Sequence, residues 1–250
     1  MQISHSRIET YTRCPYKFKL RYVDGWDTLP TDDPASPLNL GSAMHLGLEH
    51  DTETAINYYY KQYPVINDKH INETIKLQYW INKAKTLLPA GDHEIKLENN
   101  DFIGFVDLLV PIDGNTYDLY DFKYSNNIES YMESGQLHEY KYFYELINPT
   151  KTIRQLYFVF IPKSNLRQKK SETLYEFRQR ILNDMASKQI QIMAIEYNPN
   201  KVIEFLINAK HCLEDQTYNK NPGPLCRWCD YQAFCERGED WMMVKKEVER

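Results

Sequence analysis

Glycine and proline are scarce, 9 and 12 among 250 residues. That excludes a collagen-like or Pro/Gly-rich low-complexity chain. No run approaches the ~18 unbroken apolar residues of a membrane-spanning helix, so no membrane association is expected. Residues 1–13 are polar and lack the apolar stretch that precedes a signal cleavage site, so no export signal is read there. No glycine is followed by lysine. The phosphate-gripping G-x-x-x-x-G-K-[ST] loop is therefore missing, and no ATP-driven motor is expected in this chain. Cysteine is sparse and odd in number, five in all. Without an export signal that argues against a disulfide framework and for a cytoplasmic setting. Cationic charge is not in excess either. The formal net charge of −5 excludes a basic coat but leaves room for a local groove that binds nucleic acid.

What is present is a globular composition, 42% apolar and 26% charged, with enough length to bury a large core. The 20 tyrosines read mainly as core and interface filling, with base stacking as the other use of their rings.

Periodicity sets the order of elements. Ser6-Arg7-Ile8-Glu9 has the capping-box form, so a helix is expected to start there and run toward Cys14. Residues 30–37 hold three prolines and read as a loop. Helices are expected over about 38–60 and 72–88, ended by Pro89-Ala90-Gly91. Strands are expected over 93–97, 102–110 and 116–123, the last two joined by a hairpin through Pro111-Ile112-Asp113-Gly114-Asn115. A helix over 129–147 and a buried strand over 153–161 follow. A basic segment, 163–170, and helices over 171–188 and 201–213 complete the reading. The expectation is one α/β domain over 1–250. It has an N-terminal helical part (1–90), a sheet core (91–162, using the 38–60 helix) and C-terminal helices with a cysteine segment (163–250).

Three cysteines fall in Cys226-Arg227-Trp228-Cys229 and Cys235, a C-x2-C-x5-C pattern. A two-residue gap lets both thiolates face one metal centre. Three ligands leave a site one short, and Cys14, in Arg13-Cys14-Pro15-Tyr16, is the natural fourth. Cys212, in a helical stretch, reads as an ordinary buried thiol. Spacing alone leaves zinc, iron–sulfur and unligated core cysteines open. Zinc sites usually close with two short-spaced pairs, whereas here Cys14 lies more than two hundred residues from the others.

The most informative stretch is Gly104-Phe105-Val106-Asp107 followed by Tyr120-Asp121-Phe122-Lys123. Asp107 and Asp121 are equally spaced about Gly114, so a hairpin turning there sets the carboxylates opposite each other, with Cβ atoms ~5 Å apart. Lys123, two residues on, shares the face of Asp121. Close carboxylates repel unless one holds a proton or a cation lies between them. Oxygen ligands beside a lysine suit Mg²⁺ or Mn²⁺. Asp-x-Lys alone is weak, with about one occurrence expected by chance. Asp107, however, lies in an apolar run and needs a partner.

These segments form a larger set. Ser4-His5-Ser6-Arg7-Ile8-Glu9-Thr10-Tyr11 leads to Cys14-Pro15-Tyr16. Gly41-Ser42-Ala43-Met44-His45 has a G-x-x-x-H form, and Gln136-Leu137-His138-Glu139-Tyr140 a Q-x-x-x-Y form. Together with the two aspartate segments and the cysteines, the set resembles the PD-(D/E)XK nuclease superfamily. Within it, the set is similar to the RecB-like branch with an iron–sulfur cluster, which includes AddB nuclease domains and CRISPR-associated RecB-like exonucleases. The matching segments run in the family's order from residue 4 to residue 235.

The resemblance implies a restriction-endonuclease-like αβββαβ core with a mixed sheet, its N- and C-terminal helices tied by a cysteine-ligated cluster. It implies that His45, Asp107, Asp121 and the Phe122 carbonyl hold Mg²⁺ or Mn²⁺. Lys123 would be the catalytic lysine, with Gln136 and Tyr140 positioning it or the substrate. Cys14, Cys226, Cys229 and Cys235 would hold a 4Fe–4S cluster, zinc being the other occupant. A further acidic ligand, Glu94 or Glu98, is left open. Taken alone, His45 would read as a core histidine, Gln136 as a surface residue and Tyr140 as a packed one.

The function so implied is a metal-dependent DNA exonuclease acting on single strands or DNA ends, with a helicase or recombination protein as a candidate partner. The alternative is a non-catalytic nucleic-acid-binding or assembly subunit stapled by the cluster, or a zinc-stapled adaptor. Lys17, Lys19 and Arg21, and Arg167, Lys169 and Lys170, are candidate contacts to the phosphate backbone.

Overall fold

The structure, a computed structural model, describes residues 1–238 and 243–245. In chain order the elements are α1 (His5–Arg13), α2 (Pro15–Phe18), a π-helical turn (Lys19–Val23), β1 (Trp26–Thr28), α3 (Pro37–Glu49), α4 (Thr52–Lys61) and α5 (Asp68–Leu87). Then come β2 (Asp92–Glu98), β3 (Ile103–Asp113), β4 (Thr116–Tyr124), α6 (Ile128–Met132), α7 (Gln136–Ile147) and β5 (Thr152–Ile161). The last are α8 (Leu174–Ala186), β6 (Gln191–Ile195), α9 (Pro199–Glu214), a 3₁₀ turn (Pro224–Trp228), α10 (Gln232–Arg237) and β7 (Met243–Lys245). No described helix is long and apolar enough to cross a membrane. The chain packs as two units, one of Thr31–Lys96 with Phe105–Tyr197, the other of Met1–Pro30, Leu97–Gly104 and Asn198–Arg250.

The first unit is built on a five-stranded mixed sheet in the order β2-β3-β4-β5-β6. β3 and β4 are antiparallel, β4 and β5 parallel, β5 and β6 antiparallel. A parallel pair needs a crossover, and α6 and α7 supply it. Side chains alternate across the pleat. Leu108, Val110, Tyr120, Phe122 and Val159 therefore face one way, onto Met44, Leu48, Trp80, Ile81 and Ile181 of the helices. Asp121 and Lys123 point to the other face, where their β5 neighbours are Phe158 and Phe160. In the second unit α1 packs on α9, Ile3 bridges Phe102, and Phe102 meets Phe205 edge-on.

The element order helix, three strands, helix, strand is present, with local differences. Ser4, not Ser6, caps α1, its hydroxyl accepting from Arg7 N–H at 3.3 Å. Ser4→Ala is therefore expected to lower stability by about 1 kcal/mol, a fall of about 2–4 °C in the thermal midpoint. Ser6→Ala should leave the midpoint within about a degree.

The stretch expected as one helix over 38–60 is two, because Asp51 caps a new start, accepting from Thr54 N–H at 2.7 Å. The amphipathic pattern runs through the break and hides it. The 129–147 helix is likewise two, interrupted where Ser134 accepts from Gln136 N–H at 3.2 Å. Strand β6 was not expected. It is a short edge strand with only Ile195 buried, so its alternation is too weak to read.

Candidate active site

The hairpin places the acids through an irregularity. The turn pairs Asp113 with Thr116, but beyond a bulge at Ile112 the register becomes Leu108 with Tyr120. Continued one residue, it sets Asp107 across from Asp121. Without the bulge, the Asp113–Thr116 register would pair Asp107 with Phe122 and put the two carboxylates on opposite faces. Phe122 N–H donates to Asp107 Oδ2 at 2.5 Å.

His45 arrives from α3. Its Nδ1 lies 3.1 Å from Asp107 Oδ1 and its Nε2 3.1 Å from the Phe122 carbonyl oxygen. Burial alone would depress the imidazole, but the Asp107 carboxylate outweighs it and lifts His45 to about 9. Burial in turn raises Asp107, yet His45, Lys123 and the Phe122 N–H together hold it below the usual carboxylate range. Asp121 goes the other way: burial pushes it up to about 6, with the Asp107 charge adding and Lys123 opposing. Two neighbouring carboxylates thus have opposed proton affinities.

Lys123 Nζ sits 2.6 Å from Asp121 Oδ2 and donates to Gln136 Oε1 at 2.8 Å. Burial would lower this lysine, but Asp121 and Asp107 more than compensate and keep it charged. Gln136 Nε2 donates to Tyr140 Oη at 3.0 Å. One helical turn separates the two residues, so α7 presents both to the same point. The ammonium also lies 5.2 Å from the Tyr131 ring centre.

Glu94 joins the site from β2. Its backbone is left-handed, φ 50°, a conformation that costs about 1–3 kcal/mol for a non-glycine residue and marks a position the surroundings over-determine. One ligand atom each from Glu94, His45 and Asp107 lie within 4.8 Å of one another. Burial and the Asp107 charge raise the Glu94 carboxyl. Glu98, the other residue left open by the sequence, accepts instead from Gln2 Nε2 at 3.4 Å. Nothing in the spacing separates the two, because they lie on the same side of an alternating strand. Oxygen donors with one imidazole fit a hard divalent cation.

The cysteines lie in the second unit, all as free thiols. Cys14 joins α1 to α2. The segment bearing the other three is held beside it: Tyr16 N–H donates to the Asn219 carbonyl at 3.2 Å, and Asn221 Nδ2 to the Arg13 carbonyl at 2.9 Å. Gly223 N–H donates to Cys226 Sγ at 3.3 Å. Burial, with a smaller push from the neighbouring Cys14, raises the Cys229 thiol. Among the described residues no three thiols draw within 4.8 Å of one another. Cys212 is buried on α9. Of the basic candidates, Lys19 pairs with Asp24 at 2.5 Å and Lys17 with Asp230 at 3.6 Å. Arg21 lies over the Tyr22 ring.

No curated protein matches the chain. The family model of the PD-(D/E)XK nuclease superfamily matches residues 2–236.

Proposed function

The chain belongs to the PD-(D/E)XK nuclease superfamily, with that family's restriction-endonuclease-like mixed sheet, and on that premise we propose that it is a divalent-metal-dependent deoxyribonuclease of the RecB-like branch. It acts as an exonuclease on single-stranded DNA or DNA ends. The observation that carries this reading is the convergence of Asp107, Asp121, Lys123 and His45 on one point of the sheet, with Glu94 beside them.

His45, Glu94, Asp107 and Asp121, with the Phe122 carbonyl, would hold Mg²⁺ or Mn²⁺. A bound ion there supplies a water of lowered pKa and a Lewis acid for a phosphoryl oxygen. His45 uses both ring nitrogens on protein partners, so it must release one of them to become a ligand. The Lys123 ammonium opposes the negative charge that grows on the phosphate during attack. The Gln136 oxygen accepts a hydrogen bond from the lysine ammonium, and its own NH₂ donates to Tyr140, which fixes the amide and hence Nζ. The Tyr140 hydroxyl, pushed up by burial, stays protonated.

Cys14, Cys226, Cys229 and Cys235 would hold a 4Fe–4S cluster. A single tetrahedral zinc with Zn–S near 2.3 Å draws its sulfurs to within about 4 Å. The C-x2-C-x5-C spacing with a remote fourth cysteine, Cys14, supports the cluster over zinc. Free thiols suit a cytoplasmic setting, and the RecB-like reading favours a helicase or recombination partner.

Digestion of end-labelled single- and double-stranded DNA in Mg²⁺ or Mn²⁺ tests the proposal. Expected is shortening from an end, abolished by EDTA and restored by Mn²⁺. Internal fragments would remove the exonuclease assignment. No cleavage by folded protein with either metal would remove the nuclease reading.

A further inference from the structure

Helix α3 carries two glycines six residues apart, and only one has a packing reason. A Cβ on Gly47 would sit 2.3 Å from Ile81 Cδ1 and 3.0 Å from Ala55 Cβ, so that glycine lets α3 lie close to its helical neighbours. A Cβ on Gly41 would meet nothing within 4 Å. Glycine inside a helix is destabilising relative to alanine, and at Gly41 no protein atom explains it.

Gly41 lines an open groove of about 540 Å³, together with Leu38, Ser42, His45, Leu46 and Glu94. That volume falls in the ~300–1,000 Å³ range of small-molecule sites. His45 and Glu94 also belong to the cation-binding group, so the groove and the cluster share a wall. Leu38, Gly41 and His45 follow one helix face. One turn from His45 the face is bare backbone, and beyond it Leu38 stands 72% exposed. The groove also holds Glu49, whose carboxylate disfavours a second phosphate there. The groove therefore suits an uncharged group.

We propose that Gly41 is a clearance position whose missing side chain admits the nucleoside attached to the phosphate being cut, with the flat face of the base against Leu38. The inference rests on the nuclease reading above and specifies what the site takes beside the scissile phosphate. Ser42, one turn from Leu38, offers a polar group to the edge of the base.

The test compares wild type, Gly41→Ala and Gly41→Leu on an end-labelled single-stranded oligodeoxynucleotide in Mn²⁺. Alanine and leucine both favour helix, so the thermal midpoint should rise by about 1–4 °C, and Mn²⁺ affinity by calorimetry should not change. KM for the strand should rise about tenfold or more in Gly41→Leu, less in Gly41→Ala, with kcat largely kept. An abasic residue at the end being cut should weaken wild type by a similar factor and Gly41→Leu no further. A Gly41→Leu protein with wild-type KM overturns the assignment, as does an equal abasic penalty in both proteins. A folded, Mn²⁺-binding wild type that cuts no DNA overturns the nuclease reading and this occupant together, and that outcome is visible before any variant is made.

Discussion

Asp121→Asn is expected to reduce cleavage about a thousandfold or more while the protein stays folded. Removing one well-placed charge-stabilising group costs ~10²–10³ in turnover, and a lost metal ligand adds to that. Asparagine is the informative replacement because it keeps the shape of a side chain buried beside Lys123 at 2.6 Å. Alanine would open a cavity and weaken the compensation of a buried ammonium, and breaking a buried pair costs about 3–5 kcal/mol. In Asp121→Asn the lysine keeps the Gln136 oxygen at 2.8 Å and the attraction of Asp107. Turnover on end-labelled DNA in Mn²⁺, measured beside the thermal midpoint, separates chemistry from folding. An asparagine protein within tenfold of wild type would take Asp121 out of the reaction.

Cys229→Ser should do the reverse, lowering the thermal midpoint by more than about 10 °C while the folded fraction keeps most of its activity. Metal binding to a site absent from the unfolded chain adds directly to folding free energy, and each kcal/mol moves the midpoint of a chain this size by about 2–4 °C. The cysteine segment and the residues around Cys14 meet through hydrogen bonds such as Asn221 to the Arg13 carbonyl and through ring contacts of Trp26 with Phe234 and Phe18 with Tyr218, and thiolate ligation would add to these. The residues of the candidate active site all lie in the other unit. Absorption near ~400 nm in anaerobically purified protein, expected of thiolate-bound iron–sulfur, should vanish in the variant. Equal midpoints would contradict the staple, and a colourless wild type with stoichiometric zinc would contradict the cluster.

Particular residues show how far the chain could be read in one dimension. The strands around Asp107 and Asp121 were legible because a nearly unbroken apolar run and a Gly-Asn turn are local signals. The facing of the two acids was legible only by symmetry about Gly114, and it depends on a bulge at Ile112 that no local signal announces. The break at Asp51 was written in a capping residue but masked by an unbroken amphipathic pattern. Strand β6 left no trace because an edge strand with one buried side chain needs little apolar alternation.

Composition and local pattern by themselves determined an α/β chain with a hairpin carrying two acids and a lysine, and four cysteines grouped at the chain's two ends. Only the tertiary structure shows which distant groups meet: His45 against Asp107 across 62 residues, Glu94 beside both while Glu98 meets Gln2, and Gln136 on Lys123. The reason is physical. Spacing along a strand or helix fixes which side chains share a face, but which faces meet is set by the burial of the core between them, and that is a property of the whole chain.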